Sequence, residues 1–242
     1  MDYCGVAVGP EFHHLCVLRE VRVEEPPVRL EAVFYEPGGV EALLAELAGH
    51  PDAVIGVGAP GAEGAEGRPR RADADLAARG VPGQSAEPAA ARLYAGLAPR
   101  GLFRPEPSAD EAHAGAGLVD EGAFRRAAVF ETNVEGIFCA LQARRLPARR
   151  HPLGVLRRVQ ELADDHVLDP GGDLWHRRIE EIEAAATALC AHRYAVGHAC
   201  WVGDPDEGVV VLPGSRLPAR FSAEGVLPAV PRAPLAGGRA PA

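Results

Sequence analysis

Cys4-Gly5-Val6-Ala7-Val8 is a continuous apolar run closed by Gly9-Pro10, and its reading decides the fold. A short apolar run ended by a Gly-Pro turn predicts a strand buried on both faces. Apolar residues resume at Leu15, Val17, Val21 and Val23, so residues 14–23 predict a second strand, broken by Pro26-Pro27. Leu30, Ala32 and Phe34 alternate along residues 29–35 and give a third. Three strands joined by short connections predict an antiparallel meander.

Working outward, Leu43, Leu44 and Leu47 recur at helical spacing over residues 40–47, and residues 52–57 form a buried fourth strand. Residues 58–69, rich in Gly, Pro and Glu, predict a loop. A short helix follows over 72–79, with Gly80 as its stop. Residues 81–126 are weakly patterned and predict loops with short helices near 89–97 and 110–116. Residues 127–130 predict a fifth strand ending at Glu131. Asn133 is placed to cap a helix running to about residue 144. Further helices are predicted over 153–162 and 177–194, and a last short strand over 209–212. From Gly214 onward Pro, Ala, Gly and Arg dominate. The predicted organisation is one domain over 1–213 and a disordered tail over 214–242. No internal repeat is present.

Composition narrows the function classes. The chain has 242 residues, about half of them apolar, enough to bury a full core. The formal charge is −9 and lysine is absent, so every basic side chain other than histidine is arginine. Such a chain is a poor match for broad, salt-driven nucleic-acid binding, although a local arginine groove remains open. The five cysteines form no C-x-x-C pair. Their odd number, with no charged leader ahead of the first strand, predicts a reducing, cytoplasmic setting. No apolar run reaches the roughly 20 residues a membrane span needs.

Meander, helix, strand, helices, strand, helices is the order of an α/β fold with an RNase H-like mixed sheet: a three-strand antiparallel meander plus parallel strands, flanked by helices. Other α/β folds share parts of that order. Several segments carry a closer resemblance: Gly5-Val6-Ala7-Val8-Gly9, Val57-Gly58-Ala59-Pro60, and Arg71-Ala72-Asp73-Ala74-Asp75 with Arg79-Gly80. Phe130-Glu131-Thr132-Asn133-Val134-Glu135, Glu180-Glu181-Ile182-Glu183-Ala184-Ala185-Ala186, Gly203-Asp204-Pro205 and Glu207-Gly208-Val209 complete the set. In order and spacing, over roughly residues 3–213, they resemble the domain-of-unknown-function family 429, a group of predicted RNase H-like nucleases.

The resemblance implies phosphodiester hydrolysis on nucleic acid or another phosphodiester, with Mg²⁺ or Mn²⁺ held by Asp and Glu oxygens. It makes Glu131 and Glu183 candidate metal ligands and catalytic residues, with Glu180 as a third acid. It also implies a loss. Ala7 and Gly58 stand where the family usually has Asp, and neither side chain can hold a cation. A weakened nuclease and a non-catalytic binding protein on the same scaffold are therefore both open, and nucleotide binding is a third reading.

Local chemistry offers an ordinary reading for each candidate. Glu180 and Glu183 project along one helix face beside the stripe Ile179, Ile182, Ala186 and Leu189, yet a first-turn acid is also favoured by the helix dipole. Glu131 is either a site residue at a strand's carboxyl edge or a plain strand-end carboxylate. Arg71, Asp73, Asp75 and Arg79 form either a substrate-binding lip or a surface ion pair, Asp75 to Arg79. Arg144-Arg145, Arg149-Arg150-His151 and Arg157-Arg158 make the most basic stretch, and its arginines, Arg149 and Arg150 foremost, are candidates to hold phosphate, or part of a solvated surface. Asp164-Asp165-His166 with Asp169 is a further possible ligand cluster. His13-His14 must place its rings on opposite strand faces. Gly56-x-Gly58-x-x-Gly61 matches a dinucleotide fingerprint in spelling, but Gly64, Gly67 and Pro69 leave no room for the helix that motif requires.

Overall fold

The computed structural model describes residues 1–21, 28–61, 68–84 and 87–223. The predicted strand end at 22–23 with Pro26-Pro27, residues 62–67 of the predicted loop, and residues 224–242 of the predicted tail lie outside the described residues.

The opening meander forms as β1 (Asp2–Val8), β2 (His13–Val21) and β3 (Arg29–Phe34), each antiparallel to the next. Helix α1 (Val40–Ala48) returns the chain to β4 (Val54–Val57), which pairs parallel to β1. Helices α2 (Arg71–Ala78) and α3 (Pro88–Leu97) follow, then α4 (Ala109–Ala114) and β5 (Ala116–Leu118). Strand β6 (Val129–Glu131) pairs parallel to β4. Asn133 caps α5 (Val134–Gln142) by accepting from the Gly136 N–H at 2.8 Å. Next come β7 (Arg144–Arg145), α6 (Pro152–Asp164), β8 (Val167–Leu168) and α7 (Ile179–Ala195). The chain closes with β9 (Ala199–Asp204), β10 (Gly208–Pro213) and β11 (Ser222–Ala223).

The main sheet has the order β6-β4-β1-β2-β3-β8 and is mixed: antiparallel through the meander, parallel elsewhere. Period-two alternation divides its side chains between two helical layers. Cys4, Val6, Leu15, Val17, Ile55, Val57 and Val129 pack against Val40, Leu43 and Leu47 of α1 and Leu93 and Leu97 of α3. Tyr3, Ala7, Cys16, Leu18, Val54 and Phe130 face the other way, into a larger core built around α7.

Helix α7 lies directly on the sheet because the chain places residues without bulk where they meet. A Cβ on Gly5 would sit 2.1 Å from the Ala184 carbonyl oxygen and the Ala188 nitrogen, and one on Gly56 3.0 Å from Thr187. On its far side α7 meets α5, α6 and the small sheet β10-β9-β5. It is therefore buried nearly all round from Ile182 to Ala195, where the sequence predicted a single stripe. A helix enclosed on every side is apolar on every side, and its alanines reflect that.

Four elements escaped the sequence reading because two or three residues carry no period: β5, β7, β8 and β11. Strand β9 also escaped it, following α7 after a turn at Gly197 (φ 72°). In residues 214–223 the Phe221 side chain is buried in the α7 core, its N–H bonds the Arg79 carbonyl at 2.9 Å, and β11 pairs parallel with β7.

Candidate functional site

At the carboxyl ends of β1 and β4, on the α7 side of the sheet, a cleft of about 730 Å³ opens. Ala7 and Gly58 form its floor. Val134, Glu135 and Cys139 of α5 and Glu183 of α7 stand on one side, Pro82, Gly83 and Gln84 on another, and residues 145–149 with Ala223 close the rim. Gln84 donates to the Gly58 carbonyl at 3.3 Å and ties its loop to the end of β4. This is the edge where parallel α/β sheets place ligands, since the strand ends and their loops diverge there.

Glu183 is the only carboxylate that α7 brings into the cleft wall. It is 8% exposed, and burial pushes its carboxyl up to about 7 against the pull of Arg149; Glu135 and Glu180 push the same way as burial, and Arg158 opposes them. Arg149 donates to Glu183 at 2.6 Å and to Glu180 at 3.3 Å, while Arg150 reaches Glu180 at 3.5 Å. Glu180 and Glu183 do share a face, as their spacing predicts, and that face is held by arginine.

Glu131 is placed elsewhere. Val57 and Glu131 are register partners, and Val57 and Val129 both face the α1–α3 layer while Phe130 faces α7. The Glu131 side chain therefore leaves β6 on the side opposite α7. There it accepts two bonds from the buried Arg70 guanidinium, at 2.5 and 2.9 Å, and one from the Gly61 N–H at 3.0 Å. Burial raises its pKa and Arg70 lowers it. Glu131 and Glu183 thus sit on opposite faces of the sheet, each with its own arginine.

Helix α2 packs its buried Ala72 and Leu76 into the core around α7, and of its charged residues Asp73 is the one tied to Glu131, through Arg70. Asp73 steadies Arg70 through bonds of 3.0 and 3.2 Å. Asp75 lies 3.9 Å from Arg71, while Arg79 donates to the Asp75 carbonyl at 3.0 Å, so the predicted Asp75–Arg79 carboxylate pair is replaced by these contacts. Arg71, Asp73, Asp75 and Arg79 are all outside the cleft lining. Asp165 and Asp169 each pair with an arginine, Arg193 and Arg177. His13 and His14 meet different charged neighbours, Arg92 and Glu41 for one, Glu180 and Glu181 for the other, as opposite strand faces require. Among the described residues no group of three His, Cys, Asp or Glu side chains is placed to hold one metal ion.

No family model, no curated protein and no solved structure matches this chain.

Sequence reasoning missed Arg70 and Gln84, and it placed Arg145 and Arg158 only within the basic stretch; the buried pairing of Arg158 with Glu135 was missed, in which Arg158 is fully enclosed and donates at 2.6 and 2.7 Å. Arg158 had a signal: it falls on the inward face of α6 with Val159 and Leu162. An arginine at a core position needs a buried acid nearby. Gln84 had none, and the basic stretch did not single out Arg145, because the place of both in the cleft depends on contacts distant in sequence.

Proposed function

We propose that this protein is a ligand-binding member of the RNase H-like class in which the metal-hydrolysis centre has been replaced by an arginine-held cleft. The strand order β3-β2-β1-β4-β6, antiparallel for the meander and parallel beyond it, supports the RNase H-like assignment. It agrees with the sequence resemblance to family 429. The buried, unpaired state of all five cysteines supports a reducing, cytoplasmic setting. No helix among the described residues is long and apolar enough to cross a membrane.

One observation carries the binding reading. Ala7 and Gly58 offer the cleft no side-chain oxygen, and its two carboxylates are each held by an arginine, Glu183 by Arg149 and Glu135 by Arg158. Two hard cations need several shared carboxylate oxygens. Glu131, the other expected ligand, turns to Arg70 on the opposite face. The donor set does not fit a Mg²⁺ or Mn²⁺ pair. An acid at 58 would also be crowded, since a Cβ there lies 2.8 Å from Val134 Cγ2.

The alternative is a Mg²⁺- or Mn²⁺-dependent nuclease using Glu183, and it rests on the family resemblance. Calorimetry with Mn²⁺ and Mg²⁺ at millimolar concentration separates the two, together with incubation on single- and double-stranded substrates. Binding without metal chemistry gives no heat and no cleavage. A one- or two-site isotherm, with cleavage abolished by Glu183→Gln, would establish the nuclease instead.

A further inference from the structure

We propose that the cleft is a receptor for a small organic carboxylate with an apolar body, seated on the guanidinium of Arg145. This deepens the binding reading above and rests on it.

Among the described residues, the charges around the cleft pair off with one guanidinium in excess. Arg158 is neutralised by Glu135 at 2.6 Å, Arg149 by Glu183 at 2.6 Å, and Arg150 lies 3.5 Å from Glu180. Arg145 lines the same cleft, is half-buried, and has no acidic partner among the described residues. Its Nε is enclosed and makes no hydrogen bond. A half-buried cation without a counter-charge loses hydration that nothing repays, and an incoming anion supplies the missing partner. The side chain is also held in place: it lies along Gly80, where a Cβ would sit 3.1 Å from Arg145 Cδ. Gly80 has φ 82°, a left-handed conformation that favours glycine and keeps that space open.

The rest of the lining sets the class of anion. Ala7, Val8, Val134, Leu146 and Pro147 give an apolar body a surface to cover. A volume of about 730 Å³ suits a metabolite-sized molecule. A planar guanidinium receives a carboxylate through two parallel hydrogen bonds. Glu183 and Glu135 in the wall are already matched by Arg149 and Arg158, so Arg145 leaves one positive charge to satisfy, and a monoanion is favoured over a dianionic phosphate monoester whose second charge would go unmatched.

The test uses the full chain. Apolar monocarboxylates, their primary amides, phosphate monoesters and inorganic phosphate are titrated by calorimetry and by two-dimensional NMR of the backbone amides, with Mn²⁺ as a separate arm. Carboxylates should shift the amides of Gly58, Gly83 and Ala148 and bind at least roughly tenfold more tightly than the matching amides. Arg145→Gln should erase that preference, Arg145→Lys should keep part of it, and Arg92→Gln, on the opposite helical layer, should leave it intact. Ala148→Phe, at the exposed rim, should block binding with the fold undisturbed. Amides binding as well as carboxylates at the same amide positions would overturn the carboxylate seat and leave the binding reading standing. Silence of the whole panel, or phosphate monoesters preferred over carboxylates, would also overturn the seat. Binding of Mn²⁺ would instead overturn the binding reading beneath it.

Discussion

Glu183 is the residue at which the cleft and the stability of the fold meet. Its carboxyl is raised from the ordinary glutamate range to about 7, so the folded protein holds a proton there that the unfolded chain has released. Stability from this group is complete below the unfolded value, falls as pH rises through the interval up to about 7, and is flat beyond it. The groups facing it are Arg149 from the rim, Glu135 of α5, Arg158 of α6 and Glu180 of its own helix. Glu183→Gln removes the titration while keeping the shape. Measured by chemical denaturation, the variant should gain on the parent between pH 4.5 and pH 8 by roughly 3 kcal/mol at most. Parallel stability–pH profiles for the two proteins would show that the carboxylate is not held out of water as the structure places it.

At the scale of the element, α7 is seated on the sheet by the absence of side chains beneath it. A methyl at residue 5 would meet the helix backbone at 2.1 Å, and backbone cannot move aside as a side-chain tip can. Gly5→Ala should therefore cost at least about 3 kcal/mol, read as a drop in the urea midpoint, and an unchanged midpoint would contradict the close approach. Elements with a clear period were legible from sequence: the meander, the helices, and the buried runs at β4 and β6. The alanines of 184–186 and Gly5 were visible individually, but their contact was not, because close packing joins segments almost the whole chain apart. The same limit governed the site. Glu183 could be placed on a helix face from its spacing. Glu131 could not be given a sheet face, because Val129, Phe130 and Glu131 are all buried and leave no alternation to fix the phase. The short strand β7, which brings Arg145 to the rim, has only two residues and no pattern to read.

At the scale of the whole molecule, the large core continues past the last strand of the small sheet. Composition places a boundary at 213, since Gly, Pro, Ala and Arg dominate from there. Phe221 nevertheless lies 1% exposed in the core around α7, anchored by its N–H to the Arg79 carbonyl. One buried aromatic can anchor a polar, turn-rich segment, because burying a phenylalanine ring removes a large apolar surface from water. Strand β11 then pairs with β7, so the segment that fills the core also braces the rim carrying Arg145, and Ala223 completes the cleft wall. A chain ending at 213 should be less stable than one ending at 223 by about 3 kcal/mol, the cost of emptying a phenylalanine site. It should also lose carboxylate preference even where it remains folded, because β7 no longer has its partner. Urea midpoints of the two truncated chains give the first comparison and titration with the same monocarboxylates the second. Equal midpoints with equal affinities would mean that residues 214–223 contribute neither to the core nor to the cleft.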